Sequence, residues 1–462
     1  MSSLPNYTIL NPMMGRIPLD ELRALQSNRL VAMVNYVYAN APFWRKKFDE
    51  AEVTPGDITG IEDLPKIPFC TKAELQADQD AYPPFGSYTC TDQSHWVRLL
   101  TTSGTTGRPL RRVFSQRDWD YILDRFQRKP IYARGDISII LGPIDGLMGP
   151  SAAYEAGVRQ GAIMVAAGLM DSRSKIRLIE DFKPITISGT ASYLLRLLEV
   201  AEEMGVDTTQ LGLRAVASVG EPGAAIPATR KRLAEGWNAA VVDGFGMTEI
   251  FPLGGSCPGN QALHIANDMA IMEIIDPETG EQLPLGETGE VVFTNIIGDT
   301  QPLLRYRTRD ISRVSEKTCT FCGHAGPKLE GSIIGRVDEM IWYSGVNIYP
   351  SAIEEAIRSI DALNHEFQVV LDGNGAKPTL TVKLETKDQA NGPESSPDNS
   401  LDLTKLKTDT QDRVKQAIRI NAAIKILPPG TLPRDDSGNK VRRVIDNRTE
   451  RIKLLSKGRK LS

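Results

Sequence analysis

The chain has 462 residues, with 54 lysines and arginines against 58 aspartates and glutamates, so its formal net charge is -4. This balance argues against a protein that binds nucleic acid mainly by neutralising phosphates. A hydrophobic content of 41% excludes a disordered chain. At roughly 150 residues per domain, the length suggests two to three domains. The five cysteines and four histidines leave few candidates for a metal or acid–base site.

The N-terminal residues show no basic segment followed by an apolar run, so we expect no secretory signal. No stretch reaches the roughly 18 apolar residues that a membrane helix needs. We therefore expect a cytoplasmic protein with no membrane or nucleic-acid partner. In that reducing setting, cysteines act as free thiols or metal ligands and not as disulfides.

The chain begins with helical and then alternating strand and helix patterns. Residues 20–50 combine helical apolar spacing with a group of aromatic residues, which predicts a helical N-terminal subdomain with an aromatic core. From about Trp96 to Gly246, short apolar runs that end at glycines alternate with helical stretches. This predicts a mostly parallel sheet covered on both faces. Ligands bind beyond the carboxyl ends of such strands, so the glycine loops are the expected site of chemistry.

The pattern changes in the second half of the chain. From Ala270 to about Ser315, two apolar runs flank a Pro-Glu-Thr-Gly turn, which predicts antiparallel β structure. Short helices and strands then predict a small α+β domain. The expected fold class is therefore α/β. A large N-terminal domain (1–336) has mostly parallel covered sheets plus an antiparallel β subdomain, and a small mobile α+β C-terminal domain spans 337–462.

A segment rich in Gly, Ser and Thr, the phosphate loop, is the strongest motif. It reads Thr101-Thr102-Ser103-Gly104-Thr105-Thr106-Gly107-Arg108-Pro109 and lies between two strand-like stretches. Its glycines permit tight turns, and its hydroxyl and backbone N–H groups can donate to phosphate oxygens. It is not a Walker loop, because no Gly-Lys-Ser/Thr ends it. A flexible surface hairpin is the alternative interpretation.

Four further motifs follow in order along the chain: Asp243–Glu249, Arg305–Asp310, Gly335–Glu339 and Gly438–Arg443. Together with the phosphate loop, this ordered set resembles the AMP-forming adenylating (ANL) superfamily of acyl-CoA synthetases. The phenylacetate-CoA ligase branch is the closer match, and the similarity runs from about residue 15 to 450. The branch resemblance rests on Tyr36–Tyr38, Pro42–Trp44, Leu304–Asp310, Gly345–Pro350 and Leu432–Arg434.

This resemblance implies a two-step reaction. A carboxylate attacks the α-phosphorus of ATP to give an acyl-adenylate and pyrophosphate, and the thiol of coenzyme A then displaces AMP. A carrier-protein thiol or an amine is the alternative acceptor. A catalytically silent nucleotide-binding or interaction protein is the alternative outside the enzymes. For the quaternary structure, we consider a homodimer.

The resemblance also implies roles for individual residues. Lys440 would be the catalytic lysine, directed at charge that develops on the phosphates. Thr248 would donate to the α-phosphate and Glu249 would hold Mg²⁺. Asp338 would be the hinge of the small domain. ATP would be bound by Thr102, Ser103, Gly104, Thr105, Thr106, Gly107, Gly220, Glu221, Pro222, Asp243, Gly244, Phe245, Gly246, Met247, Asp310 and Arg336.

Three features depart from the family pattern. Phe245 stands where a tyrosine is usual, which keeps stacking but removes a hydroxyl. Arg111 and Arg112 follow the phosphate loop where small or apolar residues are more common. One interpretation is that these arginines alter the contacts to the phosphates or to the substrate. The other is that they are only a surface feature. One extra residue, Asn439, lies between Gly438 and Lys440.

The cysteines and histidines suggest a zinc site. Cys319 and Cys322 form a Cys-x-x-Cys pair, and Cys257 lies upstream with six residues between it and His264. Three thiolates and one imidazole suit tetrahedral zinc, and members of the branch often carry such a set. His264 is preferred over His324 as the nitrogen ligand. The role would be structural, and free reduced thiols are the alternative.

The substrate should lie beside the glycine-rich stretch 141–154 and the residues after Glu249. Small residues there leave room for a flat ring, and no obvious buried cation marks a dicarboxylate. We therefore expect an aromatic or heteroaromatic monocarboxylate. Its pocket is expected to be formed by Leu141, Gly142, Gly146, Gly149 and Ile250.

Overall fold

The computed structural model describes residues 3–8, 11–102, 109–128, 131–343, 346–373, 379–387, 402–433 and 443–448. Lys440 and the loop residues Ser103, Gly104, Thr105, Thr106 and Gly107 lie outside these ranges. None of the helices within them has both the length and the apolar character of a membrane span.

The described residues form ten α-helices and twenty strands. The helices are α1 (Leu19–Asn40), α2 (Pro42–Glu50), α3 (Lys72–Ala81), α4 (Gln116–Gln127), α5 (Met148–Arg159), α6 (Ser172–Phe182), α7 (Ala191–Glu203), α8 (Pro227–Trp237), α9 (Pro350–Arg358) and α10 (Leu403–Ile418). The strands are β1 (Trp96–Thr101), β2 (Arg111–Ser115), β3 (Ile137–Ile140), β4 (Ile163–Ala166), β5 (Thr186–Gly189), β6 (Ala215–Val219), β7 (Ala240–Met247), β8 (Phe251–Cys257), β9 (Asn260–Ile265), β10 (Ala270–Ile275), β11 (Thr288–Asn295), β12 (Tyr306–Ser315), β13 (Lys328–Leu329), β14 (Gly335–Arg336), β15 (Ile341–Tyr343), β16 (Val346–Ile348), β17 (Leu363–Asp372), β18 (Thr379–Thr386), β19 (Ala423–Leu427) and β20 (Val444–Asp446).

The N-terminal subdomain consists mainly of α1 and α2, as the helical spacing predicts. Pro42 begins α2, where its missing N–H costs no hydrogen bond. Trp44 and Phe48 are fully buried in the same core cluster as strands of the β subdomain. The aromatic group therefore joins the N-terminal helices to the rest of the large domain.

One twelve-stranded sheet runs through the large domain in the order β10-β11-β12-β13-β9-β8-β7-β6-β5-β3-β4, with β14 paired to β12. The strands β4, β3, β5, β6 and β7 are parallel. From β7 onward the neighbours are antiparallel. The expected parallel sheet and antiparallel subdomain are thus continuous, because the short turn between β7 and β8 reverses the chain without a crossover helix.

Helices cover both faces of the parallel half. Consecutive side chains of a strand point to opposite faces, and β3 shows this directly. Ile139 belongs to the core cluster that contains α6, α7 and α8. Ile140 belongs to a second cluster with Ala153 and Tyr154 of α5. The near-continuous apolar runs in the sequence reflect this burial on both sides.

The small domain has its own sheet, in the order β19-β18-β17-β20. The two central strands are antiparallel, and each pairs in parallel with an outer strand. Its core contains Val369, Val382 and Val414, each fully buried, and α9 and α10 contribute to it. This is the α+β unit that the sequence predicts after residue 336.

Candidate active site

The base of the phosphate loop is fixed where β1 ends. The amide of Thr102 donates to the carbonyl of Leu110 at 3.0 Å, and the amide of Leu110 donates to Thr102 Oγ1 at 3.0 Å. The amide of Thr101 donates to the carbonyl of Gly146 at 3.0 Å. These bonds close the loop at its base and hold it beside the predicted substrate segment.

The predicted adenine-binding segments are neighbours at the carboxyl ends of β6 and β7. Ser218 pairs with Asp243, and Val219 with Gly244. Gly220 follows with a φ of 88°, a conformation that glycine adopts without strain. Glu221 and Pro222 continue this loop. The chain therefore brings together the two segments that the sequence places on opposite sides of α8.

Asp243 is buried beside a hydroxyl group. Ser332 Oγ donates to Asp243 Oδ2 at 2.8 Å, and burial raises the pKa of Asp243 to about 6. The Phe245 ring lies 5.9 Å from that of Phe293, with the planes tilted by 37°. A side chain at Gly246 would come within 2.5 Å of the Pro252 Cα, so the close approach of β7 and β8 requires glycine there.

Glu249 and Thr248 lie in the turn after β7, and Met247 ends that strand. Glu249 is only 7% exposed. Its Oε1 accepts from the Tyr306 hydroxyl at 3.3 Å and lies 3.5 Å from Lys72 Nζ. Sequence reasoning assigned no role to Lys72, which begins α3 about 180 residues upstream and carries no motif signal.

Arg112 is fully buried, which removes the interpretation of this residue as a surface feature. Its Nη2 donates to the backbone carbonyls of Glu249 at 3.0 Å and Gln301 at 2.6 Å. The guanidinium lies 5.8 Å from the centre of the Tyr88 ring. Arg112 therefore ties the strand that leaves the phosphate loop to the turn that carries Glu249.

The ribose and hinge residues form a chain of charge-assisted hydrogen bonds. Arg336 Nη1 donates to Asp310 Oδ1 at 3.0 Å, and Arg336 Nε donates to Asp338 Oδ1 at 3.0 Å. These carboxylates raise the pKa of Arg336 against the opposing effect of its burial. Asp310 and Arg336 are also register partners of β12 and β14. The Arg336 side chain thus links Asp338, the predicted hinge, to Asp310, the predicted ribose carboxylate.

The predicted zinc ligands converge. Donor atoms of Cys257, His264, Cys319 and Cys322 all lie within 4.8 Å of one another. The Sγ atoms of Cys257 and Cys319 are 3.9 Å apart, and Cys322 Sγ is 3.5 Å from His264 Nδ1. The His324 ring stacks on His264 at 4.7 Å and stands outside the converging set.

The acidities of the thiols differ within this cluster. Burial and the neighbouring Cys322 raise the pKa of Cys257 to about 11. Burial also acts on Cys319, but hydrogen bonds from the backbone of Cys322 and Phe321 outweigh it and lower its pKa to about 7. A thiol stabilised as thiolate is the form that binds metal.

The predicted substrate residues divide into buried and open positions. Leu141 and Ile250 are fully buried in the two main core clusters. Gly142 and Gly149 face open space, since an added side-chain atom at either would have no neighbour within 4 Å. Gly146 lies beside the phosphate-loop base. The glycines therefore leave unfilled room next to that loop.

Two family models match the chain. The one described as AMP-binding enzyme matches residues 18–296, and the one described as AMP-binding enzyme C-terminal domain matches 345–448. A phenylacetate-coenzyme A ligase from Thermus thermophilus is 32% identical over 453 residues, which cover 95% of this chain and 99% of that protein. The similarity therefore extends over both domains.

Solved structures of a 2-hydroxyisobutyryl-CoA ligase resemble this chain to different degrees. The structure in the postadenylation state with 2-HIB-AMP has a TM-score of 0.88 at 27% identity, and covers 99% of this chain and 96% of that chain. The structure with 2-HIB-AMP and CoA in the thioesterification state has a TM-score of 0.69 at 28% identity over the same shares. Since sequence and coverage are alike, the difference in score reflects the arrangement of the parts.

Proposed function

Because the chain belongs to the family of AMP-binding enzymes, we infer that it activates a carboxylic acid with ATP and transfers the acyl group to coenzyme A. A carboxylate oxygen attacks the α-phosphorus, and pyrophosphate leaves. The thiol sulfur of coenzyme A then attacks the acyl carbon, and AMP leaves while the thiol proton is released. The observation that carries this conclusion is the near full-length similarity to a phenylacetate-coenzyme A ligase.

The nucleotide roles are those that the family resemblance implies, and the positions of the described side chains support them. The loop closed by Thr102 would hold the β- and γ-phosphates with backbone and hydroxyl donors. Phe245 would pack against adenine, with Asp243 and the Gly220–Pro222 loop at its edge. Asp310 would accept from the ribose hydroxyls, and Arg336, which donates to this carboxylate, would lie near the ribose and the phosphates.

We propose that Glu249 holds Mg²⁺. Its carboxylate is buried, and Arg112 joins its turn to the strand that follows the phosphate loop. Mg²⁺ in such sites is bound by one or two carboxylates together with phosphate oxygens. The magnesium would neutralise phosphate charge. Lys72 Nζ lies 3.5 Å from Glu249 Oε1, and its positive charge balances the carboxylate. Thr248, which precedes Glu249 in the turn, would donate to the α-phosphate.

Lys440 is proposed as the catalytic lysine, in a small domain that spans 337–462 and turns on Asp338. The large domain then spans 1–336, and the break lies between the segments that the two family models match. An ammonium directed at the α-phosphate and the bridging oxygen would stabilise the transition state.

Zinc is proposed as a structural ion held by Cys257, His264, Cys319 and Cys322. Three sulfurs and one ring nitrogen within 4.8 Å of one another suit its tetrahedral coordination. The ion would join β8 and β9 to the loop before β13. Its role is to brace the sheet close to the Glu249 turn.

We propose an aromatic or heteroaromatic acid as the substrate. Open space at Gly142 and Gly149 suits a flat ring. A carrier-protein thiol or an amine is the alternative acceptor. The same proposal includes a cytoplasmic setting, which suits five free cysteines. It also includes a homodimer, which light scattering can test.

Pyrophosphate release measured with a panel of carboxylic acids tests this function. The panel includes phenylacetate, benzoate and nicotinate, with 2-hydroxyisobutyrate as the small aliphatic comparison. We expect release with an aromatic acid and a thioester product by mass spectrometry when coenzyme A is added. Lys440→Ala should lose adenylation by roughly 100-fold or more. No release with any acid would refute the enzyme, and preference for 2-hydroxyisobutyrate would refute the aromatic substrate.

A further inference from the structure

The two domains meet through a polar contact between α8 and α9. Helix α8 of the large domain starts after Ile226, and no side chain of its own segment caps it. Glu355 of the small domain supplies this cap, because its Oε2 accepts from the amide of Ala228 at 3.0 Å. A carboxylate is favoured at a helix N-terminus, where N–H groups lack intrahelical partners.

The reverse contact lies one turn further along α8. Arg232 donates from Nη2 to the carbonyl of Ile360 at 2.8 Å and from Nη1 to that of Leu363 at 3.4 Å. Ile360 lies two residues beyond the C-terminal end of α9, and Leu363 begins β17. A cation is favoured at that helix end, for the same electrostatic reason. Each helix therefore stabilises an end of the other through a side chain from the opposite domain.

His365 completes the arginine contact as an acceptor. Arg232 Nη1 lies 3.1 Å from His365 Nδ1. An arginine can only donate, so Nδ1 must carry a lone pair and the ring must be neutral. Burial and the positive charges of Arg358 and Arg232 hold the pKa of His365 well below its usual value, which agrees with this assignment.

A second layer of charged groups backs this contact. Arg358 Nη1 donates to Thr229 Oγ1 at 2.8 Å, and Arg358 Nη2 pairs with Glu354 at 2.7 Å. Arg443, which follows the Lys440 turn by three residues, lies 3.8 Å from the same carboxylate. Glu221 of the large domain is among the negative charges that raise the pKa of Arg443. The predicted adenine loop therefore acts electrostatically on the charged groups of this contact.

The similarity to the two ligase structures indicates in which domain arrangement these contacts occur. The TM-score is 0.88 against the 2-hydroxyisobutyryl-CoA ligase in its postadenylation state and 0.69 against the same protein in its thioesterification state. The domain arrangement of this chain therefore corresponds to the postadenylation state. A contact made of exchanged polar caps can be broken at little cost, because water replaces each partner.

We propose that Glu355 and Arg232 form a reversible latch that holds the small domain in the arrangement found here, in which the adenylate forms and stays bound, and that opens before thioester formation. This inference rests on the proposed function. Both are positioning residues, since neither touches the reacting atoms. The latch lowers the free energy of one domain arrangement only, so its loss must affect the two half-reactions differently.

The test uses Arg232→Ala and Glu355→Ala in the full-length chain, with Arg232→Lys and Glu355→Gln as conservative variants. Lys231→Ala is the matched control, because Lys231 is the neighbour of Arg232 on α8 but its side chain is 74% exposed. Single-turnover pyrophosphate release measures adenylation. Thioester formation from preformed acyl-adenylate and coenzyme A measures the second step.

We expect each alanine variant to slow adenylation about tenfold, the effect of losing one charged hydrogen bond. Thioester formation should stay unchanged or become faster, and the conservative variants should recover part of the adenylation rate. Small-angle scattering profiles of the alanine variants should also depart from that of the wild type. Lys231→Ala should match the wild type in all three measurements.

Equal loss in both half-reactions would overturn the latch, because it would indicate general damage to the fold. Unchanged rates would overturn it as well. An inactive wild-type chain would refute the proposed function alone, and scattering would then decide the latch. Identical profiles for Arg232→Ala and wild type would reject it, and a changed profile would support it.

Discussion

The ion pair of Arg305 and Glu273 gives a sharp prediction, because both side chains are buried, at 6% and 3% exposure. Arg305 binds the carboxylate through Nε at 3.1 Å and Nη2 at 2.9 Å. Its Nη1 donates to the carbonyls of Pro65 at 3.0 Å and Ile67 at 2.9 Å. One side chain thus joins β10 to the segment before α3.

Arg305→Met should lower the free energy of unfolding by about 3–5 kcal/mol, the usual cost of removing one partner of a buried ion pair. The methionine fills much of the volume but leaves the carboxylate and two carbonyls without this donor. Burial raises the pKa of Glu273 even beside Arg305, and without the arginine it must rise further.

The sign of the pH dependence follows from that shift. A carboxyl group whose pKa is higher in the folded than in the unfolded protein binds more protons when folded. Its contribution to stability is complete at low pH and is lost as the pH rises through the folded pKa. The deficit of Arg305→Met should therefore be largest near neutral pH and smaller toward pH 5.

Denaturant unfolding at several pH values is the assay. Arg313→Met is the control, because Arg313 lies on β12 but is exposed, and we expect a change within about 0.5 kcal/mol. Arg305→Met with Glu273→Met should recover part of the loss, since no buried charge remains. A deficit below about 1 kcal/mol, or one that grows on acidification, would refute the reasoning.

Two further outcomes concern metals. Glu249→Gln should raise the magnesium concentration for half-maximal pyrophosphate release by roughly tenfold or more, since an amide is a weaker ligand than a carboxylate; Glu235→Gln, exposed on α8, should not. An unchanged magnesium titration would argue against Glu249 as the ligand. Purified protein should contain stoichiometric zinc by mass spectrometry, and Cys322→Ser should lose it while Cys90→Ala retains it. Zinc retained by Cys322→Ser would contradict the site.

Elements that bury one continuous apolar run could be predicted closely. The run 137–141 predicts β3, which spans Ile137–Ile140, and the helical stretch from Tyr193 predicts α7. Both lie in the parallel half, where burial on two faces leaves a plain signal in the sequence. The sequence carries no such signal for the continuity of the parallel and antiparallel parts of the sheet through β8, because strand order depends on pairing between distant segments.

The candidate site also contains some features that local motifs predict and others that depend on distant segments. The motifs predict which residues approach the nucleotide, since each motif is local. Neither the Lys72 contact to Glu249 nor the burial of Arg112 is local, and both depend on segments far apart in sequence. The cluster with the three cysteines contains His264, because β13 pairs with β9 and brings the Cys319–Cys322 turn to His264.

The predicted nucleotide-binding residues lie next to residues of the domain contact and the predicted hinge. Arg336 binds Asp310 on one side and the predicted hinge Asp338 on the other. Glu221, in the predicted adenine loop, acts electrostatically on Arg443 of the small domain. We therefore expect a change at the nucleotide to act on groups close to the domain contact. Activity alone therefore cannot separate the roles in binding and in movement.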